Sequence, residues 1–159
     1  MRPTFEHEWN EGKSGSRKLS VKLESRIQSA EIAESLMMDF CGRAECGERD
    51  REEIGLAVRE SVANAVLHGN RCDLSKKVSL TAEITDEGLI VCIADEGEGF
   101  NPDDHPDLFL LPDNIFSESG RGLFLVKTTM DEVVMRRSEV CGMEIRLLKR
   151  LSKSQRRRK

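Results

Sequence analysis

The chain has 159 residues, with 25 Lys and Arg against 29 Asp and Glu and a formal net charge of −4. That length suits one domain with a real hydrophobic core, and no apolar run reaches the ~20 residues a membrane helix requires. The start, Met1 to Trp9, has no apolar stretch of the secretory kind. The five scattered cysteines, Cys41, Cys46, Cys72, Cys92 and Cys141, suit reduced thiols, so a cytoplasmic protein is expected. Cys41 and Cys46 lack a second pair of metal ligands, which argues against zinc, and Cys92 sits in an apolar run as a small core residue.

Residues 1–17 are polar and bear Gly and Ser, and read as a flexible leader. Leu19, Val21 and Leu23 then alternate with polar neighbours, as in a half-buried strand. Ile32, Leu36, Met37 and Phe40 follow at helical spacing and predict a helix over 27–44, with Gly42 and Gly47 as possible stops. A second helix is expected over 50–67, with Asp50 as N-cap and Glu53 completing a capping box. Its main apolar stripe is Ile54, Val58, Val62 and Ala65, while Leu56 and Ala57 make a second side apolar. Such a helix packs against a sheet and turns its polar pair, Glu60 and Asn64, toward a cavity.

Strands are predicted over 78–85 and 89–94, joined by the turn Asp86-Glu87-Gly88. Residues 101–119 form a polar connection rich in Asp and Pro, and a helix follows over 122–130. A last hairpin pairs 133–137 with 143–148, turning near Cys141-Gly142. The body of the domain is 18–150, and 151–159 is a basic tail. That tail reads as a solvated end, and no basic, aromatic-interleaved face accompanies it, so nucleic-acid binding is not expected. These elements make an α+β domain: a two-layer α/β sandwich with a mixed, mostly antiparallel sheet and its helices on one face.

Three segments carry chemistry. In the first, Arg59 to Gly69, Glu60 and Asn64 lie four residues apart on one helix face. An Asn there can offer oxygen to magnesium, and a Glu one turn earlier can orient or deprotonate a nucleophile. By themselves the two also fit a solvated helix face. In the second, Asp95-Glu96-Gly97-Glu98-Gly99-Phe100, a carboxylate ends an apolar strand where it can accept from an exocyclic amine. Gly97 and Gly99 allow positive φ and close backbone approach to a ligand. In the third, Gly120-Arg121-Gly122-Leu123 opens a helix whose free N–H groups suit phosphate. It lacks the Gly-Lys-Ser/Thr ending of a Walker loop, and no GxGxxG joins a first strand to its helix. Arg121 is either a phosphate partner or a solvated side chain. His68 near a helix end more often caps or packs than acts as an acid or base, and Ser61 is a small helix residue.

In this order the three segments resemble the N, G1 and G2 boxes of the GHKL ATP-binding superfamily, which includes gyrase, MutL and the histidine kinases. The short form with NAxxHG and GRGLFLV is most similar to the bacterial anti-sigma factor/serine kinase family of RsbW and SpoIIAB. The resemblance implies the Bergerat-type ATP-binding fold, with ATP and Mg2+ as cofactors. It implies Glu60 as general base, Asn64 as magnesium ligand and Asp95 as reader of the adenine amino group. Gly97, Gly99, Gly120, Arg121, Gly122 and Leu123 would line the nucleotide, under a lid over 107–119. As partners it implies a sigma factor and a STAS-domain antagonist phosphorylated on serine, and a homodimer. Two positions depart from the pattern. Leu67 stands where histidine-kinase relatives often carry a phosphate-contacting Lys or Arg, and Met143 follows Gly142 where many relatives have Thr. The other readings are a binding module liganded by ATP without phosphate transfer, and a histidine-kinase-like ATPase domain acting alone. A gyrase-like ATPase is remote.

Overall fold

The computed structural model describes residues 5–11, 17–110 and 121–152. Its elements run β1 (Phe5–Glu11), β2 (Arg17–Glu24), α1 (Gln28–Arg43), α2 (Glu48–Asn64), β3 (Lys77–Ile84), β4 (Leu89–Ala94), α3 (Arg121–Thr129), β5 (Glu132–Arg137) and β6 (Met143–Lys149). The six strands form one sheet in the order β1-β2-β3-β4-β6-β5, and every pairing is antiparallel.

Period-2 alternation decides the layers. Leu19, Val21 and Leu23 of β2, Val78, Leu80 and Ala82 of β3, and Leu89, Val91 and Ile93 of β4 are all buried. They point to one face. The helices cover it: Met37 and Phe40 of α1 and Ile54, Val58 and Val62 of α2 are fully buried in the same core. This is the two-layer sandwich that the sequence predicts. Among the described residues, no helix is long and apolar enough to cross a membrane.

Two expectations are corrected. Residues 5–11 lie inside the segment read as a flexible leader, yet they form β1, paired with β2 from Phe5↔Leu23 to Glu11↔Arg17. The open edge of β2 supplies the reason, because its unpaired N–H and C=O groups accept a further strand whatever its polarity. The capping box is also absent. Helix α2 starts at Glu48 with Gly47 as its N-cap and no side-chain cap, so Asp50 sits within the first turn. Glu53 turns instead to Arg49 and to Lys149 at the end of β6. Lys149 is 8% exposed, so an anionic partner is required where it lies. It also donates to the Thr129 carbonyl, which ties the ends of α2, α3 and β6 together.

Candidate functional site

The regular helix α2 stops at Asn64, and residues Ala65–Gly69 form a single π-helical turn. Wider turns of this kind open helices at functional sites. Here the Asn70 N–H reaches the Ala65 carbonyl and the Cys72 N–H reaches that of Val66. Arg71 and Cys72 follow with positive φ of 52° and 57°, an uncommon backbone for side-chain-bearing residues.

Asn70 is 1% exposed and fully occupied. Its Nδ2 donates to Ser25 Oγ at 2.8 Å and to the Lys77 carbonyl at 3.0 Å. Its Oδ1 accepts from the Glu96 N–H at 2.8 Å. One side chain thus joins the end of the π turn to the β2–α1 corner, the start of β3 and the loop after β4. A satisfied buried network of this kind holds one geometry.

That geometry serves Asp95. The residue directly follows β4, is 7% exposed, and accepts at Oδ1 from the Gly97 N–H (2.9 Å) and the Met143 N–H (3.2 Å). Burial pushes its carboxyl above the usual value, and the two backbone donors pull the other way. Three glycines surround it. A Cβ on Gly69 would strike Asp95 Oδ2, and one on Gly142, at φ +73°, would strike Asp95 O and Oδ1. Gly97 in turn lies against the Gly69 carbonyl. The carboxylate is therefore caged by backbone alone, and any larger residue at these points displaces it.

Asp95 forms part of the wall of a cavity of about 680 Å³, within the range of small-molecule and cofactor sites. Apolar walls come from Ile93, Leu123, Met135, Met143 and Ile145, and polar groups from Ser61, Asn64, His68, Arg71 and Lys76. Met143, at the position where the family pattern has Thr, gives its sulfur to the Phe100 N–H at 3.3 Å. Among the described residues, Asn64 Nδ2 and Ser61 Oγ are buried without a hydrogen-bond partner. Buried polar atoms left so need a reason, and a ligand in this cavity is one.

The third segment returns onto the first. At the start of α3, a Cβ on Gly122 would lie 2.6 Å from Glu60 Oε2 and 3.5 Å from Asn64 Nδ2. Only glycine lets α3 sit so close to these two side chains. Gly122 is buried, Leu123 and Gly99 line the cavity, and Gly99 has φ +73°. Arg121 begins α3 as an exposed residue and lines no part of the cavity among the described residues. Glu60 is half-buried and stands beside Gly122 outside the cavity wall. Leu67 is 43% exposed. Gly120 and most of the expected lid, 111–119, lie outside the described residues.

Sequence reasoning missed Asn70 and gave no part to Gly69 or Gly142. Asn70 follows the NAxxHG pattern directly, and the positive φ that Gly142 requires was legible as a hairpin turn.

A sandwich whose N-terminal helices cover an antiparallel sheet, with a glycine-caged buried Asp facing a cavity, defines a nucleotide-binding class of fold. The chain matches the model of the histidine kinase-like ATPase domain over residues 23–149. It is 32% identical over 136 residues to the serine-protein kinase RsbW of Staphylococcus epidermidis, covering 80% of this chain and 84% of that one. It is 28% identical over 138 residues to the anti-sigma F factor of Bacillus subtilis (strain 168), covering 86% and 94%. A crystal structure of the RsbU and RsbW domains of a Mycobacterium tuberculosis protein superposes with a TM-score of 0.63 at 20% identity, over 86% of this chain and 33% of that longer one. The chain belongs to the histidine kinase-like ATPase domain family, in its group of serine-protein kinases and anti-sigma factors.

Proposed function

We propose that this protein is an ATP- and Mg2+-dependent serine-protein kinase and anti-sigma factor, acting in the cytoplasm as a homodimer. It phosphorylates a STAS-domain antagonist on serine and sequesters a sigma factor. The observation that carries the reading is the seating of Gly122 against Glu60 and Asn64, with Asn64 and the caged Asp95 lining one cavity. Family membership and the names of the relatives agree with it.

Asp95 accepts a hydrogen bond from the adenine amino group, because an ionised carboxylate faced with the O6 of guanine would be repelled. Gly97 and Gly99 let the base approach the backbone. The donors at the start of α3, Gly120 to Leu123, hold the phosphates, and Asn64 contributes its amide to the magnesium–triphosphate unit. That unit, when bound, neutralises the charge that develops during transfer. Glu60 accepts the proton of the attacking serine hydroxyl. The residues present fit the group: Asn64 Nδ2 is buried with no partner among the described residues and could donate to a phosphate oxygen, its Oδ1 being the oxygen that would face magnesium, and Gly122 brings bare backbone against Glu60 and Asn64. Closure of 107–119 over the phosphates would exclude water.

A second reading, a binding module that holds ATP without transferring phosphate, is favoured by one observation, the place of Glu60 outside the cavity wall. Glu60→Gln separates the two. The kinase reading expects unchanged ATP affinity and phosphate transfer reduced by about 10²–10⁴-fold, the range for a positioned base. Transfer from labelled ATP to a candidate antagonist, alongside calorimetry, measures both. Wild-type transfer by the variant removes Glu60 from the chemistry. Nucleotide binding without transfer by the native protein, tested on antagonists that other kinases of this group phosphorylate, selects the binding module.

A further inference from the structure

Helix α1 ends in a way neither nearby glycine explains. The Cys46 N–H bonds to the Cys41 carbonyl at 3.0 Å, and the Glu45 N–H to that of Gly42 at 3.2 Å. Glu45 takes the left-handed conformation, with φ 57°. This nested pair of bonds around a left-handed residue is a Schellman motif. The first and last of its six residues, the third from the helix end and the second beyond the cap, often touch across the helix end, and here they are Cys41 and Cys46. The two sulfurs share a hydrogen bond.

The surroundings make the pair unequal. Cys41 is fully buried and Cys46 is partly exposed. Their shared bond holds the Cys46 thiol below its usual acidity range, with Arg17 adding to the effect and burial and Asp50 opposing it. The same contact and burial push Cys41 up, with Asp50 adding and Arg51 opposing. An accessible, more acidic thiol backed by a shielded one in contact with it is the arrangement of an attacking and a resolving cysteine. The other thiols lack it: Cys72 and Cys141 are exposed, and Cys92, partly buried, bonds to Thr81 and not to a cysteine.

We propose that Cys41 and Cys46 form a redox-active dithiol, an oxidation site at the α1–α2 corner that peroxide converts to an intramolecular disulfide. The Cys46 thiolate attacks one peroxide oxygen; the O–O bond breaks, hydroxide leaves, and a sulfenic acid forms. The Cys41 sulfur then attacks the Cys46 sulfur. The S–O bond breaks, and the departing hydroxide takes the Cys41 proton to become water. Two thiols lose two electrons and two protons in all, and peroxide is reduced to two waters. The backbone bond from Cys46 to Cys41 already brings the two residues together at the helix end, and the disulfide closes a loop of only six residues.

The full-length protein, treated with graded hydrogen peroxide, alkylated and digested with trypsin, tests this. Cleavage after Arg43 separates the two cysteines, so a Cys41–Cys46 bond appears as two peptides that stay joined until dithiothreitol is added. The expected result is that linkage, forming at peroxide doses below those that oxidise Cys72 or Cys141. Cys46→Ser should abolish it and leave Cys41 as a free thiol, and Cys41→Ala should leave Cys46 trapped as a sulfenic acid that dimedone captures. The proposal is overturned if Cys46 stays reduced while the exposed cysteines oxidise. It is overturned equally if Cys46 pairs with Cys72 or Cys141, or overoxidises in the native protein with Cys41 still a thiol.

Discussion

At the Asp95 end of the cavity the protein satisfies its own polar groups. Asp95 Oδ1 takes two backbone donors, and Asn70 fills its amide with three partners that fix the loop carrying it. Around Asn64 and Ser61 it does not. Among the described residues Asn64 Nδ2 and Ser61 Oγ are buried and unpartnered, and the close approach of Gly122 is made possible by the lack of a side chain. The difference teaches how a site divides its tasks. On the proposed reading, base recognition uses the fixed acceptor, and phosphoryl transfer from nucleotide to protein substrate uses groups whose partners come with the ligand.

Gly142→Ala should break the rigid end with the largest effect. Its Cβ would press on Asp95 O and Oδ1 from a φ of +73°. Backbone strain alone costs roughly 1–3 kcal/mol, and displacement of Asp95 should abolish measurable ATP binding. Thermal unfolding and calorimetry on the one variant check both parts. A protein that unfolds earlier yet binds ATP normally would show that the cage does not position the carboxylate. Asp95→Asn is the milder form of the same test. It should weaken ATP by roughly 1–3 kcal/mol through loss of a charge-assisted hydrogen bond and narrow the preference over GTP. Equal binding of ATP and GTP by the native protein would remove Asp95 as the reader of the base.

The open end should respond with the opposite sign. Asn64→Leu replaces an amide with a buried unpartnered nitrogen by an apolar group of similar size. Stability of the ligand-free protein should rise by about 1 kcal/mol, since an unsatisfied buried polar group is costly, while magnesium-dependent ATP binding is lost. Denaturant unfolding with and without Mg-ATP measures the two. Lower stability of the ligand-free variant would mean that Asn64 serves the fold.

The rigid end was partly legible and the open end more so. Glu60, Asn64, Asp95 and the glycines are recognisable from residue type and order, because their spacing along one helix and at strand ends is a local matter. The sheet was legible from alternation in 78–85 and from the apolar run 89–94 for the same reason. Asn70 was not, since its work depends on Ser25, Lys77 and Glu96, which only the folded chain assembles. Gly69 was given no part, because its contact with Asp95 exists only once the π turn meets the end of β4. Strand β1 was hidden by its polar composition, because the partner edge, more than its own residues, makes it a strand. Glu53 was misread as a local cap because its partner, Lys149, lies 96 positions along the chain.

The smallest expected effect sharpens the comparison by acid titration, because Asp95 and Glu53 shift in opposite directions. Hydrogen bonds from Lys149 and then Arg49 hold the Glu53 carboxyl below its ordinary 4.5. A lowered folded value gives stability that is present above about pH 4.5 and lost as pH falls through the folded value. Asp95 is raised above 3.8 by burial. Its protonated form is favoured by the fold, so that contribution is full below 3.8 and lost as pH rises through the folded value. At neutral pH Glu53 therefore stabilises the ligand-free protein and Asp95 opposes it. Glu53→Gln should lower stability at pH 7 by about 1 kcal/mol, as expected for a partly screened pair, and by less as pH drops below 4.5. Asp95→Asn keeps a carbonyl oxygen for the Gly97 and Met143 donors, and should raise ligand-free stability slightly at pH 7 and not at pH 3.5. Unfolding midpoints for the native protein and both variants across pH 3.5–7.5 decide the matter. Parallel curves for the two variants would mean that the caged carboxylate carries no desolvation cost, and that the contrast between a structural ion pair and a reading carboxylate is wrong.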